Sequence, residues 1–322
     1  MALTIHVGSS FPAEAERELS AGLAHHHVER PPAPSASNLV ALEDETVMEA
    51  EVVFGQPSPS ALARSPRVRW IHLTSAGYTR YAGAPIQRAL RDAGVALTTS
   101  STVYAEPCAT HALALVLALL RQLPAAGENQ RGVRGWPAAE LRRQSRVLQG
   151  ARVVLLGFGA IGQRLASLLS PFGAEVVALR SRPRGDDRVR TVGAADLDHE
   201  LERADAVISS LPEAPTTIGL MSRARFDLLR SQAVFVNVGR GTTVDQAAMI
   251  DSLGSGKLGG VGLDVTDPEP LPPDNPLWTH PRVIITPHTA GGREDEHVRL
   301  VRHFLENLRR YERGEALVDR VI

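Results

Sequence analysis

Three side chains capable of acid–base and anion-binding chemistry stand in the second half of the chain: Arg240, Glu269 and His288. A guanidinium stays charged and can hold two oxygens at once, and an imidazole can release or accept a proton near neutral pH. Taken singly, each has a structural alternative: a surface charge beside a turn, a solvated carboxylate between prolines, and a residue at the start of a helix. Each, however, follows an apolar run typical of a strand. Because open α/β sheets bind ligands at the carboxyl ends of their strands, the sequence predicts that the three converge there.

The elements that must position them begin with a glycine-rich turn near the middle of the chain. Arg152–Leu156 reads as a strand and Gln163–Leu169 as an amphipathic helix. The turn between them follows the pattern G-x-G-x-x-G and comprises Gly157, Phe158, Gly159, Ala160, Ile161 and Gly162. Its glycines permit a tight turn, a close approach of pyrophosphate to the backbone, and close packing of helix and strand. A chance glycine turn is the alternative, but the flanking strand and helix favour a dinucleotide-binding site.

The end of the following strand indicates which dinucleotide is used. An NAD-specific protein carries Asp or Glu about 20 residues past the glycines, where the carboxylate holds the ribose hydroxyls. Here Arg180 occupies that position, followed by Ser181 and Arg182, while Asp186 and Asp187 lie too far along the loop. Guanidinium groups and a hydroxyl would bind a 2'-phosphate. The sequence therefore predicts a preference for NADP(H), with NAD(H) possible; exposed charge in an arginine-rich chain is the alternative.

Short apolar runs separated by helical patterns predict an α/β protein with parallel sheets. The strands predicted in the first hundred residues are Thr4–Val7, Leu39–Leu42, Val52–Phe54, Trp70–Leu73 and Val95–Thr98. An Ala-Leu helix is predicted from His111 to Leu123, followed by a polar, arginine-rich connector. After the glycine turn the predicted strands are Glu175–Leu179, Ala206–Ser209, Val234–Val238, Gly260–Asp264 and Val283–Thr286. A last amphipathic helix from about Gly292 to Tyr311 is expected to return to the first domain.

Composition excludes several classes of function. The chain has 322 residues, 43% of them apolar and 22% charged, which is typical of a two-domain globular protein. A net charge of -1 and 4% aromatic residues argue against nucleic-acid partners. The longest apolar run, Ala112–Leu120, is shorter than the roughly 20 residues that cross a bilayer, so we expect a cytoplasmic protein without membrane contact. Cys108 is the only cysteine, and we expect no metal.

Four ordered motifs add a specific resemblance. They are Leu73-Thr74-Ser75-Ala76-Gly77, Val236-Asn237-Val238-Gly239-Arg240-Gly241, Gly262-Leu263-Asp264-Val265 with Glu269-Pro270, and Thr286-Pro287-His288-Thr289-Ala290-Gly291. Together with the glycine turn they resemble the D-isomer-specific 2-hydroxyacid dehydrogenase family, most closely its glyoxylate and hydroxypyruvate reductases.

This resemblance implies two Rossmann-like domains, a doubly wound dinucleotide-binding domain inserted into a smaller flavodoxin-like substrate domain. The substrate domain would comprise residues 1–101, the dinucleotide-binding domain 102–290, and the C-terminal helix 291–322 would return to the substrate domain. Hinges would lie near Ser101 and Gly291, with the site in the cleft between the domains. The family also implies a homodimer.

The resemblance further assigns roles to single residues. Arg240, Glu269 and His288 would be catalytic: the guanidinium would hold the 2-keto acid, the imidazole would exchange the proton, and the carboxylate would orient the imidazole. The substrate carboxylate would also meet Ser75, Ala76 and Gly77. Besides the glycine turn and the arginines, the implied cofactor contacts are Leu211, Pro212, Thr217, Val238, Asp264, His288 and Gly291.

The expected function is hydride transfer between NADPH and a small 2-keto acid such as glyoxylate or hydroxypyruvate, giving the D-2-hydroxy acid. One alternative is a 3-phosphoglycerate dehydrogenase-like enzyme, although the long versions carry a regulatory extension and this chain stops at Ile322. Another is a nucleotide-sensing protein like the corepressors built on the same fold, which retain the three catalytic residue types.

Overall fold

The computed structural model describes residues 2–32, 34, 45–183, 185 and 188–322. The strand predicted at Leu39–Leu42 and the residues Asp186 and Asp187 lie outside these ranges. The chain forms two compact units, one comprising Met1–Tyr104 with Arg293–Ile322 and the other Ala105–Gly292. The unit boundaries therefore fall two or three residues after the expected domain boundaries.

The strands and helices of the described residues are as follows. The strands are β1 (Thr4–Val7), β2 (His27–Glu29), β3 (Val52–Phe54), β4 (Trp70–His72), β5 (Ala96–Thr98), β6 (Arg152–Leu156), β7 (Glu175–Leu179), β8 (Arg190–Val192), β9 (Ala206–Ser209), β10 (Ala233–Asn237), β11 (Leu258–Leu263) and β12 (Val283–Ile285). The helices are α1 (Ala13–Gly22), α2 (Pro59–Ala63), α3 (Ala84–Asp92), α4 (Ser101–Leu120), α5 (Leu123–Arg131), α6 (Ala138–Gln144), α7 (Ala160–Leu169), α8 (Leu197–Leu201), α9 (Arg223–Leu228), α10 (Gln246–Gly254) and α11 (Glu296–Glu312). Short 3₁₀ helices span Glu45–Glu49, Thr79–Tyr81, Ser170–Phe172, Ala194–Asp196, Gly241–Thr243 and Pro276–Thr279.

The first unit is built on a parallel five-stranded sheet in the order β2-β1-β3-β4-β5, which is the flavodoxin order. The C-terminal helix α11 belongs to this unit and packs on α1. Gly22 allows the close approach, since a Cβ there would lie 2.5 Å from the Leu305 side chain. Phe304 of α11 stacks on Phe54 with ring centroids 4.2 Å apart. The last helix is thus part of the first unit's core.

The second unit contains a parallel seven-stranded sheet in the order β12-β11-β10-β9-β6-β7-β8, the doubly wound arrangement. Its central strands are mostly apolar and almost entirely buried, as is typical of a parallel sheet covered on both faces. The helix α4 packs on β11, where Gly260 and Gly262 leave room for Leu119 and Leu115. The predicted α/β fold class is confirmed.

Two sequence predictions in this region were wrong. The connector after the Ala-Leu helix contains two helices, α5 and α6. Neither helix has a buried residue, so the sequence shows no apolar periodicity there. The Ala-Leu helix spans Ser101–Leu120, not 111–123, and among the described residues it alone is long and apolar enough to span a membrane. Half of it is buried in the protein, and a core helix meets the same criterion.

Candidate active site

The carboxyl ends of β10, β11 and β12 lie side by side at one edge of the sheet. Asn237 pairs with Leu263, and Leu263 pairs with Ile285, so the three strands end in register. The loops that follow carry Arg240, Glu269 and His288. The structure brings the last two into direct contact and places the half-buried Arg240 at the same edge of the sheet.

The imidazole of His288 and the carboxylate of Glu269 form a close pair. Nδ1 of His288 lies 2.5 Å from Oε1 of Glu269, and the side chains are 35% and 42% exposed. A carboxylate at Nδ1 favours the proton on that nitrogen, which leaves Nε2 for a reactant. The pair can therefore exchange a proton with a molecule arriving from solvent.

The backbone of His288 adopts a left-handed conformation, with φ of 53°. Such a conformation costs a residue with a side chain roughly 1–2 kcal/mol, so the neighbouring structure must hold it. The amide of His288 donates to the carbonyl oxygens of Asp264 (2.9 Å) and Thr286 (3.0 Å). The buried Asp264 carboxylate accepts from Thr286 Oγ1 (2.6 Å), the Thr289 amide (2.8 Å) and the Ala290 amide (2.9 Å). Asp264 therefore fixes the loop that presents His288.

Arg240 lies on a loop held by the buried amide side chain of Asn237. Oδ1 of Asn237 accepts from the Gly239 amide at 3.0 Å, and Nδ2 donates to the Arg240 carbonyl at 3.0 Å. A Cβ at Gly239 would lie 2.5 Å from the carbonyl oxygen of Leu211, so only glycine fits. Among the described residues, the Arg240 guanidinium donates to the Gly239 carbonyl alone (Nη1, 2.7 Å). Its remaining donors are available for a ligand.

The glycine turn after β6 fits a dinucleotide pyrophosphate. Gly157 has a φ of 103°, which strongly favours glycine. A Cβ at Gly162 would lie 2.2 Å from the Gly157 carbonyl oxygen, so the close packing expected at this position is present. A Cβ at Gly159 would meet nothing within 4 Å, which leaves space above the amino end of α7. The free amides of that helix end suit an anion.

The end of β7 carries the residues expected to select the cofactor. Arg180 directly follows Leu179, and its backbone amide donates to the Val192 carbonyl at 2.9 Å. Ser181 and Arg182 are exposed. The position of the usual acidic residue is thus occupied by a cation at the carboxyl edge of the sheet.

The loop after β9 is fixed by its own side chains. The Thr217 hydroxyl donates to the Pro212 carbonyl at 2.7 Å and accepts from the Ala214 amide at 2.9 Å. Glu213 accepts from the Thr242 hydroxyl at 2.8 Å, which ties this loop to the one carrying Arg240. Glu213 therefore connects the two loops.

The remaining predicted cofactor residues of this unit differ in exposure. Leu211 and Val238 are buried, with 8% and 6% of their surface exposed, while Pro212 is exposed. Gly291 is half-buried and follows the His288 loop. The contacts made by these residues to a cofactor stay predictions.

The Ser75–Gly77 loop of the first unit presents two amides. The Ser75 hydroxyl donates to the Gly77 carbonyl at 2.6 Å and accepts from Gln56 Nε2 at 2.9 Å. Within the described part of the chain, the backbone amides of Ala76 and Gly77 donate no hydrogen bond. Sequence reasoning missed the buried Gln56, whose only signal was its place in the loop after β3.

Sequence reasoning also missed His111 on α4. Its Nε2 lies 2.9 Å from Thr286 Oγ1 and 3.8 Å from Asp264 Oδ1. The available signal was one polar residue opening an apolar run that continues to Leu120.

Residues 113–290 match the family described as D-isomer specific 2-hydroxyacid dehydrogenase, NAD binding domain. The chain belongs to this family. It is 30% identical over 273 residues to a glyoxylate reductase of Aeropyrum pernix, covering 81% of this chain and 79% of that protein. It is 30% identical over 277 residues to glyoxylate/hydroxypyruvate reductase B of Klebsiella pneumoniae, covering 82% of each. It is 31% identical over 299 residues to the D-3-phosphoglycerate dehydrogenase of Mycobacterium tuberculosis, covering 89% of this chain but only 51% of that protein.

Solved structures of similar fold cover the whole chain. A D-isomer specific 2-hydroxyacid dehydrogenase from Xanthobacter autotrophicus in complex with NADPH has a TM-score of 0.81 at 27% identity, covering 100% of this chain and 98% of that one. A probable 2-hydroxyacid dehydrogenase from Rhizobium etli in complex with NADP has a TM-score of 0.82 at 26% identity, with the same coverage. The protein is therefore an oxidoreductase of the D-2-hydroxyacid dehydrogenase type that uses a nicotinamide dinucleotide.

The glycine turn yields a first test. Gly162→Ala places a methyl group against the Gly157 carbonyl, and relieving that overlap costs roughly 1–3 kcal/mol. We expect dinucleotide affinity to fall about tenfold or more in a fluorescence titration with NADPH. Gly254→Ala is the matched control, because a Cβ there meets nothing within 4 Å. Equal affinities of the two variants would contradict the assignment.

Proposed function

We propose that the protein is an NADPH-preferring reductase of small 2-keto acids such as glyoxylate or hydroxypyruvate, producing the D-2-hydroxy acid. The observation that carries the proposal is the accessible His288–Glu269 pair, 2.5 Å apart, in which His288 lies on a loop fixed by the buried Asp264 carboxylate. The substrate class is supported by the relatives named glyoxylate and hydroxypyruvate reductases.

The side chains fit the requirements of keto-acid reduction. The nicotinamide, when bound, supplies the hydride that reaches the carbonyl carbon. Arg240 holds the carboxylate and keto oxygen through the donors it does not use on Gly239. Nε2 of His288 delivers a proton to the keto oxygen, and Glu269 keeps the ring oriented through its contact with Nδ1.

The residues after β7 support the proposed preference for NADPH. Arg180 and Arg182 carry guanidinium groups and Ser181 a hydroxyl, where a carboxylate would repel a 2'-phosphate. The two solved relatives that contain NADPH or NADP support this proposal.

A second candidate is oxidation of 3-phosphoglycerate, favoured by the 31% identity to a D-3-phosphoglycerate dehydrogenase over most of this chain. This chain spans about half the length of that relative. An assay panel of glyoxylate, hydroxypyruvate and 3-phosphohydroxypyruvate separates the two functions.

The proposed cofactor preference predicts that replacing Arg180 by a carboxylate weakens the preference for NADPH over NADH. The wild type should show a higher kcat/KM with NADPH than with NADH. In Arg180→Glu the ratio should fall about tenfold to a hundredfold, because a charge-assisted hydrogen bond worth about 1.5–3 kcal/mol is replaced by repulsion. Arg203→Glu, an exposed arginine of the same unit, should leave the ratio unchanged. A wild-type preference for NADH would refute the proposal.

The proposed role of His288 in proton transfer predicts that its replacement lowers kcat without weakening cofactor binding. His288→Gln should lower kcat for the best keto acid about 10²- to 10⁴-fold, the usual contribution of a positioned acid or base. Dissociation constants for NADPH should change little. His199→Gln replaces an exposed histidine on α8 and should be as active as the wild type. Full turnover by His288→Gln would exclude this role.

We also propose that the protein forms a homodimer through the α5–α6 arm, residues 123–147. This arm exposes large apolar side chains: Leu123 (57%), Val133 (90%), Trp136 (93%) and Val147 (61%). An isolated monomer would keep this surface in water, which is typical of an interaction site.

Sedimentation equilibrium at micromolar concentration should give twice the mass of one chain. Trp136→Glu should shift the population to monomer, because it places a charge in an apolar contact. Phe172→Glu, at a 41% exposed position outside the arm, should remain dimeric. A monomeric wild type, or a dimeric Trp136→Glu, would argue against this interface.

A further inference from the structure

The histidine on α4 faces the loop that carries His288. The Nε2 atom of His111 lies 2.9 Å from the Thr286 hydroxyl and 3.8 Å from Oδ1 of Asp264. The His111 side chain is 25% exposed and that of Asp264 only 2%. The imidazole of His111 thus lies beside a carboxylate that is almost completely shielded from solvent.

The hydrogen-bond directions in this group are determined by its donors. A hydroxyl has one proton, and the 2.6 Å contact between Thr286 Oγ1 and the Asp264 carboxylate takes it. The same oxygen must then accept from His111, so Nε2 of His111 carries a proton. The chain of donors runs from His111 through Thr286 to Asp264, whose carboxylate also accepts the amides of Thr289 and Ala290.

Removing the first donor affects every later member of this chain. Without His111, the Thr286 hydroxyl loses the partner that restricts its rotation, and it can turn away from Asp264. The buried carboxylate would then lack one of its donors, which destabilises a charged group kept from water. The left-handed backbone of His288 is itself strained, so the loop can relax.

We propose that His111 is a positioning residue for the reaction, acting through Thr286 and Asp264 on the orientation of His288. This inference rests on the proposed role of His288 in proton transfer. His111 itself exchanges no proton with the substrate in this assignment. Its contribution is to keep the imidazole of His288 against Glu269.

Two substitutions at position 111 separate hydrogen bonding from packing. His111→Leu introduces a side chain of similar size that cannot donate a hydrogen bond. In His111→Gln, the side-chain amide can donate a hydrogen bond to Thr286. We expect kcat to fall about tenfold to a hundredfold in His111→Leu and to stay within about threefold of wild type in His111→Gln. Thr110→Leu, at an exposed position on the same helix, is the control and should be unaffected.

A double-mutant cycle tests whether the effect travels through Thr286. Thr286→Val should resemble His111→Leu, and the double variant should lose no more activity than either single variant, because all three remove the same chain of donors. Additive losses would overturn the proposal. If His111→Leu does not fold, Thr286→Val alone tests the proposal, because it removes the next donor of the same chain.

An independent readout does not require turnover. In ¹⁵N-histidine NMR spectra, the hydrogen-bonded Nδ1 proton of His288, assigned by its absence in His288→Gln, should shift or broaden in His111→Leu and return in His111→Gln. An unchanged signal in His111→Leu would overturn the positioning role. A changed signal, together with an active His288→Gln, would instead refute the proton-transfer role while leaving the structural link intact.

Discussion

The buried carboxylate of Asp264 is the constraint on which the candidate active site depends. A charged group with 2% of its side chain exposed requires several donors, and the chain supplies the Thr286 hydroxyl and the amides of Thr289 and Ala290. The backbone of Asp264 also connects neighbours, because its amide donates to Asn237 and its carbonyl accepts from His288. One residue therefore joins the ends of three adjacent strands.

Glycines make this crowded edge possible. A Cβ at Gly241 would lie 2.0 Å from the carbonyl oxygen of Thr266, and one at Gly239 would lie 2.5 Å from that of Leu211. Both distances are shorter than any tolerable contact, so the loops after β9, β10 and β11 approach one another only where side chains are absent. Arg240 lies between these two glycines, and its guanidinium donates to the Gly239 carbonyl.

Sequence reasoning located what depends on apolar burial and missed what depends on side-chain orientation. The strands at 152–156, 175–179 and 206–209 match the predicted ranges, because each contains at least three consecutive buried apolar residues. The short edge strands β2 and β8 were missed, since His27–Glu29 and Arg190–Val192 are mostly polar or exposed. The pairing of Glu269 with His288 followed from strand ends and family motifs. The contributions of Gln56 and His111 depend on where a rotamer points in the folded state, which periodicity does not encode.

The topology separates the choice of cofactor from the chemistry. Arg180 directly follows β7, whereas Arg240 and His288 follow β10 and β12, three and five strands away in the sheet. At about 4.8 Å between strands, these separations are roughly 14 and 24 Å. Both exceed the Debye length of about 8 Å at physiological ionic strength, so charges at the end of β7 act weakly on the imidazole. Under the proposed assignment, a change at Arg180 would alter binding of a 2'-phosphate without changing proton transfer, because the two tasks would occupy opposite halves of one sheet edge.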